Sequence, residues 1–283
     1  MIENRKMIPI TNRYAFADVL RGDLELARDF ISVLIGKKIG KVKLAQRESA
    51  FDISPLTKGV RFDVYLKDDN EESFDVELQV SNEEDLEKRI RYYHSIMTAD
   101  SLLKGEEYRN LKDSYVIFIF VKHDPFKLGK TMYEIGSTVL NADNRRINDG
   151  MHTYVFNFTK NREKNGDSKI EEIAEYFYNG NVGGVMSGRM DLKIQDLNEK
   201  PTWREKIMTL EQELKIARNR GYDEGHRKGL EEGREKGLAE GKNVGAENSK
   251  KEIAVKLLQM GIPTETVSEA TGLSTEILKS LLH

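Results

Sequence analysis

Lys58-Gly-Val-Arg-Phe-Asp-Val-Tyr-Leu66 and Ser73-Phe-Asp-Val-Glu-Leu-Gln-Val80 are two short alternating runs, parted by the acidic stretch Asp68 to Glu72. That is the pattern of a β-hairpin. Phe62, Val64 and Leu66 are expected on one face of the first strand, with Arg61, Asp63 and Tyr65 on the other. On the second, Phe74, Val76, Leu78 and Val80 share a face opposite Asp75, Glu77 and Gln79. Because side chains alternate with period two, a one-residue slip would set an apolar row against a polar one. A turn centred on Asn70 avoids this, setting Phe62 beside Leu78, Val64 beside Val76 and Asp63 beside Glu77. Two carboxylates then project side by side, with Gln79 two residues along the same face. Neighbouring carboxylates raise each other's pKa unless a proton, an Arg or Lys, or a divalent metal lies between them. Oxygen ligands at this spacing suit Mg²⁺ or Mn²⁺, which take one or two protein carboxylates alongside water and phosphate oxygens. On pattern alone, an ordinary hairpin with an exposed polar face is the simpler reading, and composition does not decide between the two.

The order Asp63, then Glu77-x-Gln79 on the next strand, resembles the PD-(D/E)XK nuclease core. In that core an acid on one strand and an acid-x-Lys on its partner bind the metal. More narrowly it resembles the PD-(D/E)XK family transposases, or recombination-promoting (Rpn) nucleases, which carry Glu-x-Gln. The likeness continues through Lys88-Arg-Ile-Arg-Tyr-Tyr93, Leu103-Lys-Gly-Glu-Glu-Tyr108 and Leu111. It extends into Ser114-Tyr-Val-Ile-Phe-Ile-Phe120 and Asp124-Pro-Phe126, so it spans about residues 10–160. The resemblance implies an α/β restriction-endonuclease-like core, a mixed sheet flanked by helices. It further implies a Mg²⁺- or Mn²⁺-dependent DNA endonuclease, with Asp63, Glu77 and Gln79 catalytic and the two acids holding the metal. Lys58, Arg61 and Arg89 are candidate phosphate or DNA contacts. Gln79 supplies no cation where the wider superfamily has Lys, so either Lys58 or Arg61 substitutes or the rate is low. The second reading is a catalytically weak or inactive nuclease fold serving DNA binding or oligomerisation.

At 283 residues the chain is long enough for one or two domains. Its net charge of −3 excludes no partner, since phosphate binding needs only a local basic surface. No apolar run reaches the length of a membrane span, and Met1 to Lys6 lacks a secretory h-region. The absence of Cys excludes thiolate metal sites and fits a reducing cytoplasm. The expected protein is cytoplasmic, with DNA as partner and no membrane.

Ile8 to Phe16 reads as an extended lead-in. In the Rpn pattern an Asp often precedes a Tyr-x-Phe element; here Arg13 precedes Tyr14, so no role for that Asp carries over. Leu24, Ala27, Phe30, Ile31 and Leu34 recur at helical spacing over about 24–36, with Asp23 as N-cap. In relatives an acid on the helix before the hairpin joins the metal site, which makes Glu25 a candidate ligand. Its simpler role is to offset the positive helix end. Val42 to Arg47 suggests a first strand. Glu83 to Lys104 reads as a helix capped by Ser81 or Asn82, with Leu86, Ile90, Tyr93, Ile96 or Met97, and Leu103 inward. Arg89 and Tyr93, four apart, share its face. Arg89 could then reach a phosphate, hold Gln79, or simply pair with Asp85. Tyr115 to Val121 is a β-rich apolar run of the kind buried on both faces, so the preceding helix is a crossover into the sheet. His152 to Phe158 follows as another strand, and Glu171 to Tyr178 as a short helix broken by Asn179-Gly-Asn-Val-Gly-Gly184. The expected organisation is a nuclease-like domain at 1–180, a linker at 181–200, a charged helix at 201–250 and a small helical tail at 251–283.

Gly recurs at 221, 225, 229, 233, 237, 241 and 245 among Glu, Lys and Arg. Each costs up to about 1 kcal/mol relative to Ala in a helix, roughly 7 kcal/mol for the set. A partner helix, with homo-oligomerisation through this segment, could offset that; a solvated charged spacer is the alternative. A four-residue step over-rotates by about 40°, so two such helices would follow each other only with a right-handed wind. Residues 253–283 carry helix–turn–helix spacing, yet beyond Ile262 Glu265, Glu269 and Glu276 face only Lys279. A duplex reader needs cations. Small-bundle or self-association packing is the preferred expectation for the tail.

Overall fold

Asn12 sets where the first described helix starts. Its side chain accepts from the backbone N–H groups of Tyr14 and Ala15 and starts helix α1, Arg13–Gly22, where the sequence suggested an extended lead-in. The computed structural model describes residues 7–45, 62–81, 85–102, 105–164 and 166–281. Asp23 then caps α2, Leu24–Ile35, which buries Leu26, Ala27, Phe30, Ile31 and Leu34, and Gly36 closes it in the left-handed region. Short strand β1, Val42–Leu44, leads to β2, Val64–Asp68, and β3, Ser73–Gln79.

The hairpin has the expected register: Val64 opposes Val76, Tyr65 opposes Asp75 and Leu66 opposes Phe74. Asp68 builds its turn, its Oδ1 accepting from the N–H groups of Asn70 (2.9 Å) and Glu72 (3.0 Å). One detail differs. Phe62 leaves the Val64–Leu66 face and stacks on Tyr65 at 4.8 Å, because β2 starts only at Val64 and the alternation does not reach back to residue 62.

α3, Leu86–Ala99, is shorter than the sequence suggested and starts after Asp85, so neither Ser81 nor Asn82 is its cap. Leu103 and Asn82 lie outside the described residues. The helix carries the chain over to β4, Ser114–Phe120, which pairs parallel to β3 and is buried throughout. β5, Met132–Ile135, and the small ribbon of β6, Thr138–Val139, with β7, Arg145–Arg146, gave no sequence signal. β8, Met151–Asn157, pairs parallel to β4 and antiparallel to β5. The main sheet is mixed, in the order β1-β2-β3-β4-β8-β5.

Val64, Leu66, Phe74, Val76, Leu78, Ile117 and Ile119 face a core shared with α1 and α2. α4, Ser168–Asn179, and α5, Val185–Glu199, complete that layer through Ile173, Phe177, Met190 and Ile194. On the other face Tyr65, Val116, Phe118 and Phe120 pack against Ile90, Tyr93 and Met97 of α3. The polar row of β3 therefore lies on the α3 side.

Residues 181–200, expected as a linker, are mostly α5, a packed helix. Asn198 is bonded to both backbone groups of Ile8, and Arg189 pairs with Asp29. The glycines before it make a tight connection rather than a domain edge. A Cβ on Gly184 would fall 1.4 Å from the Glu172 carboxylate, which accepts from the Ser187 N–H.

The chain divides into two compact units, Met1–Met208 and Thr209–His283. Helix α6, Pro201–Gln259, runs through the charged segment past residue 250. A Cβ at any glycine from Gly221 to Gly245 would meet nothing within 4 Å. In the second unit α7, Thr264–Thr271, and α8, Thr275–Ser280, enclose a small core of Ala254, Val267, Leu273 and Leu278. Gly272 joins them in the left-handed region and Ser274 caps α8.

Candidate functional site

The hairpin register brings Asp63 and Glu77 together at the end of β2. Asp63 donates its backbone N–H to Glu77 Oε1 at 2.8 Å, and Asp63 Oδ2 accepts the Leu78 N–H at 3.3 Å. Each acid is thus fixed by the other's strand, and both are buried. Gln79, also buried, follows on the same face. The structure therefore gathers the three side chains of the sequence pattern into one buried polar cluster.

Two arginines enter this cluster from different helices. Arg13, the first residue of α1, donates from Nη2 to Asp63 Oδ1 at 2.9 Å. Arg89 of α3 donates from Nη1 to Gln79 Oε1 at 3.0 Å and from Nη2 to the Tyr93 hydroxyl at 3.2 Å. Its Nη2 lies 3.8 Å from Glu77 Oε2, and the guanidinium sits over the rings of Tyr93 and Phe118. Lys88, not Arg89, forms the ion pair with Asp85.

Asp75 is the group the sequence reading passed over. It is fully buried, and neither carboxylate oxygen receives a hydrogen bond from a donor among the described residues. Burial pushes its pKa well up, and the charges of Glu77 and Asp63 push further. Glu77 is also raised well above the carboxylate range, by burial first and then by Asp63; the Asp63 N–H, Arg89 and Arg13 pull the other way. For Arg13 burial disfavours the charge, but the adjacent Asp63 outweighs that and holds the guanidinium firmly protonated. Asp75 had a readable signal, two residues before Glu77 on one face. Arg13 had none, since it comes from 50 residues away.

The other candidates fall elsewhere. Glu25 is exposed in the first turn of α2, where its charge acts on Arg28. Among the described residues no three His, Cys, Asp or Glu side chains are arranged to hold a metal, so Glu25 does not close a triad with Asp63 and Glu77. Lys58 and Arg61 lie outside the described residues. His94 is a core residue, buried between Ser114 Oγ (2.7 Å) and Thr153 Oγ1 (2.8 Å).

Residues 20–179 match the family model described as PD-(D/E)XK nuclease family transposase. The chain belongs to this family. The match covers more than half of the transposase-family chain and includes Asp63, Glu77, Gln79 and Arg89, while Arg13 lies before it. Residues 247–283 match a second model, the C-terminal HTH domain of the Rpn/YhgA-like nuclease family. Both α7 and α8 lie within that match, which agrees with the helix–turn–helix spacing read from residues 253–283. Neither the curated proteins nor the solved structures searched gave a match. Among the described residues no helix of this nuclease-family chain is long and apolar enough to cross a membrane.

The donor set suits a small hard cation. Asp63, immediately before β2, and Glu77, on β3, offer two carboxylates, and Mg²⁺ or Mn²⁺ takes its remaining ligands from water and phosphate. Beside them the buried oxygens of Asp75 lack hydrogen-bond donors among the described residues.

Proposed function

We propose that this chain is a divalent-metal-dependent DNA endonuclease that hydrolyses phosphodiester bonds. The observation that carries the reading is the hydrogen bond tying Asp63 to Glu77 across the hairpin, with Gln79 on the same face. Asp63 Oδ1 and Glu77 Oε2 are the oxygens that would hold Mg²⁺ or Mn²⁺. When bound, the ion polarises the phosphoryl oxygen and lowers the pKa of an attacking water.

The chain's own groups do the remaining work. The two strand N–H groups fix the acids so that their outer oxygens stay aimed into the cluster. Arg89 holds Gln79 by its amide oxygen, which leaves the amide NH₂ pointing onward as a donor that can orient water or a phosphate oxygen. Arg89 itself is held over Tyr93 and Phe118, so Gln79 has a preset orientation rather than a free rotor. Lys58 and Arg61 are proposed phosphate contacts. The helix–turn–helix domain is proposed to dock on duplex DNA and α6 to pair copies of the chain, the unpacked glycines of α6 being the support for the latter.

The test is nicking of supercoiled plasmid by purified protein in Mg²⁺ or Mn²⁺. Asp63→Ala and Glu77→Ala should each abolish it; undiminished nicking by Asp63→Ala would refute the assignment. A specific observation favours a second reading, a catalytically weak fold that binds DNA without cutting it: a guanidinium already occupies Asp63. No nicking by wild type, together with duplex binding, would establish that reading instead.

A further inference from the structure

We infer that Arg13 is a resident counter-ion that competes with the divalent cation for Asp63, so that the site loads only when this guanidinium swings away. The inference rests on the metal-site reading above and adds a device to it. Of the four outer and inner oxygens of Asp63 and Glu77, Asp63 Oδ2 and Glu77 Oε1 are taken by backbone N–H groups. The remaining pair, Asp63 Oδ1 and Glu77 Oε2, is what a cation would use. Oδ1 is the oxygen that accepts from Arg13 at 2.9 Å.

The two arginines differ in how they are held. The Arg89 side chain is 22% exposed and is pinned by Gln79, Tyr93 and the Phe118 ring. The Arg13 side chain is 39% exposed. Its backbone is fixed by the Asn12 cap, so release needs only side-chain rotation, and the Tyr14 ring at 5.8 Å offers a second perch. Arg13 is the cation able to leave. A second observation points to a further cation: Asp75, fully buried beside Glu77, has both oxygens without a donor among the described residues, so its carboxyl is left unanswered unless a proton or a cation is supplied. A guanidinium is too broad and too distant on its planar fork to serve all three carboxyls; a small divalent ion concentrates its charge at the outer oxygens.

The experiment is calorimetric titration of Mn²⁺ into full-length wild type, Arg13→Ala, Arg13→Gln and Arg13→Lys, with Asp63→Ala as the site control. Removing the competing charge should tighten Mn²⁺ binding about ten- to a hundredfold in both Arg13→Ala and Arg13→Gln, while Arg13→Lys stays close to wild type. That pattern separates charge from shape, since a merely structural Arg13 would change Mn²⁺ affinity alike in Ala, Gln and Lys, which would overturn the inference. Equal Mn²⁺ affinity in all the Arg13 variants, abolished by Asp63→Ala, would overturn the Arg13 inference and leave the metal site standing. No Mn²⁺ binding in any variant would overturn both.

Discussion

Asp75→Asn should make the metal-free protein more stable, against the usual outcome for a substitution at a fully buried position. The side chain keeps its shape, loses its charge and gains an NH₂ that can donate to Glu77, while the two oxygens that now lack donors become one. Leaving a buried polar group without partners costs about 1–3 kcal/mol, more when charged. Taking about 2 kcal/mol as the relief, and roughly 2–4 °C per kcal/mol for a unit of this size, the melting temperature should rise by about 4–8 °C near pH 8. The sign with pH follows from linkage. Asp75 and Glu77 have folded pKa values raised above their unfolded ones, so the folded state binds protons more tightly. Their contribution is fully present below the unfolded carboxylate range and is lost as pH rises through the folded values. Wild type should therefore gain stability as pH falls through the raised folded values of the two carboxyls towards the unfolded carboxylate range, and Asp75→Asn should flatten that slope. Differential scanning calorimetry with chelator present reads both. A lower melting temperature for Asp75→Asn with an unchanged slope would refute the reasoning.

His94 acts in the opposite sense. Burial lowers its pKa to about 4, so the unfolded chain takes up the proton first as acid is added. Its contribution, about 3 kcal/mol, is intact above the unfolded value near 6.5 and lost between there and 4. His94→Gln should remove most of that acid-side fall in calorimetry. On sequence alone Gln79→Lys is expected to keep or raise nicking; the Arg89 contact reverses this, because Lys offers no acceptor and repels the guanidinium. A fall of about ten- to a hundredfold in plasmid nicking is expected, since a charge-assisted bond is worth about 1.5–3 kcal/mol. Lys279→Glu in α8 should weaken duplex binding and reduce the log-affinity versus log-salt slope by about 1, measured by fluorescence anisotropy.

What the sequence made legible is what short-range patterning controls. The apolar run Phe74, Val76, Leu78 excludes one-residue slips, a turn centred on Asn70 then sets Asp63 beside Glu77, and the structure has that register. The unbroken apolar run of β4 likewise marks a strand covered on both faces, which requires the α3 crossover. The failures have local causes too. Asn12 starts α1 through two backbone contacts that compete with any extended reading of Ile8 to Phe16. Gly180 and Gly184 look like a domain edge, yet one ends α4 and the other lets Glu172 approach the start of α5. The electrostatics of the cluster were not legible, because Arg13 meets Asp63 only through tertiary packing of α1. Asp75 was visible on the right face, but its burial depends on α3 closing over the sheet.

The central claim is that Asp63 and Glu77 converge on one cation. Anomalous diffraction from Arg13→Ala crystals grown with Mn²⁺, where the Arg13 guanidinium no longer competes for Asp63, tests it most directly. A single strong peak bound by Asp63 Oδ1 and Glu77 Oε2 is the predicted result. Saturating Mn²⁺ with no peak between those two carboxylates would contradict it.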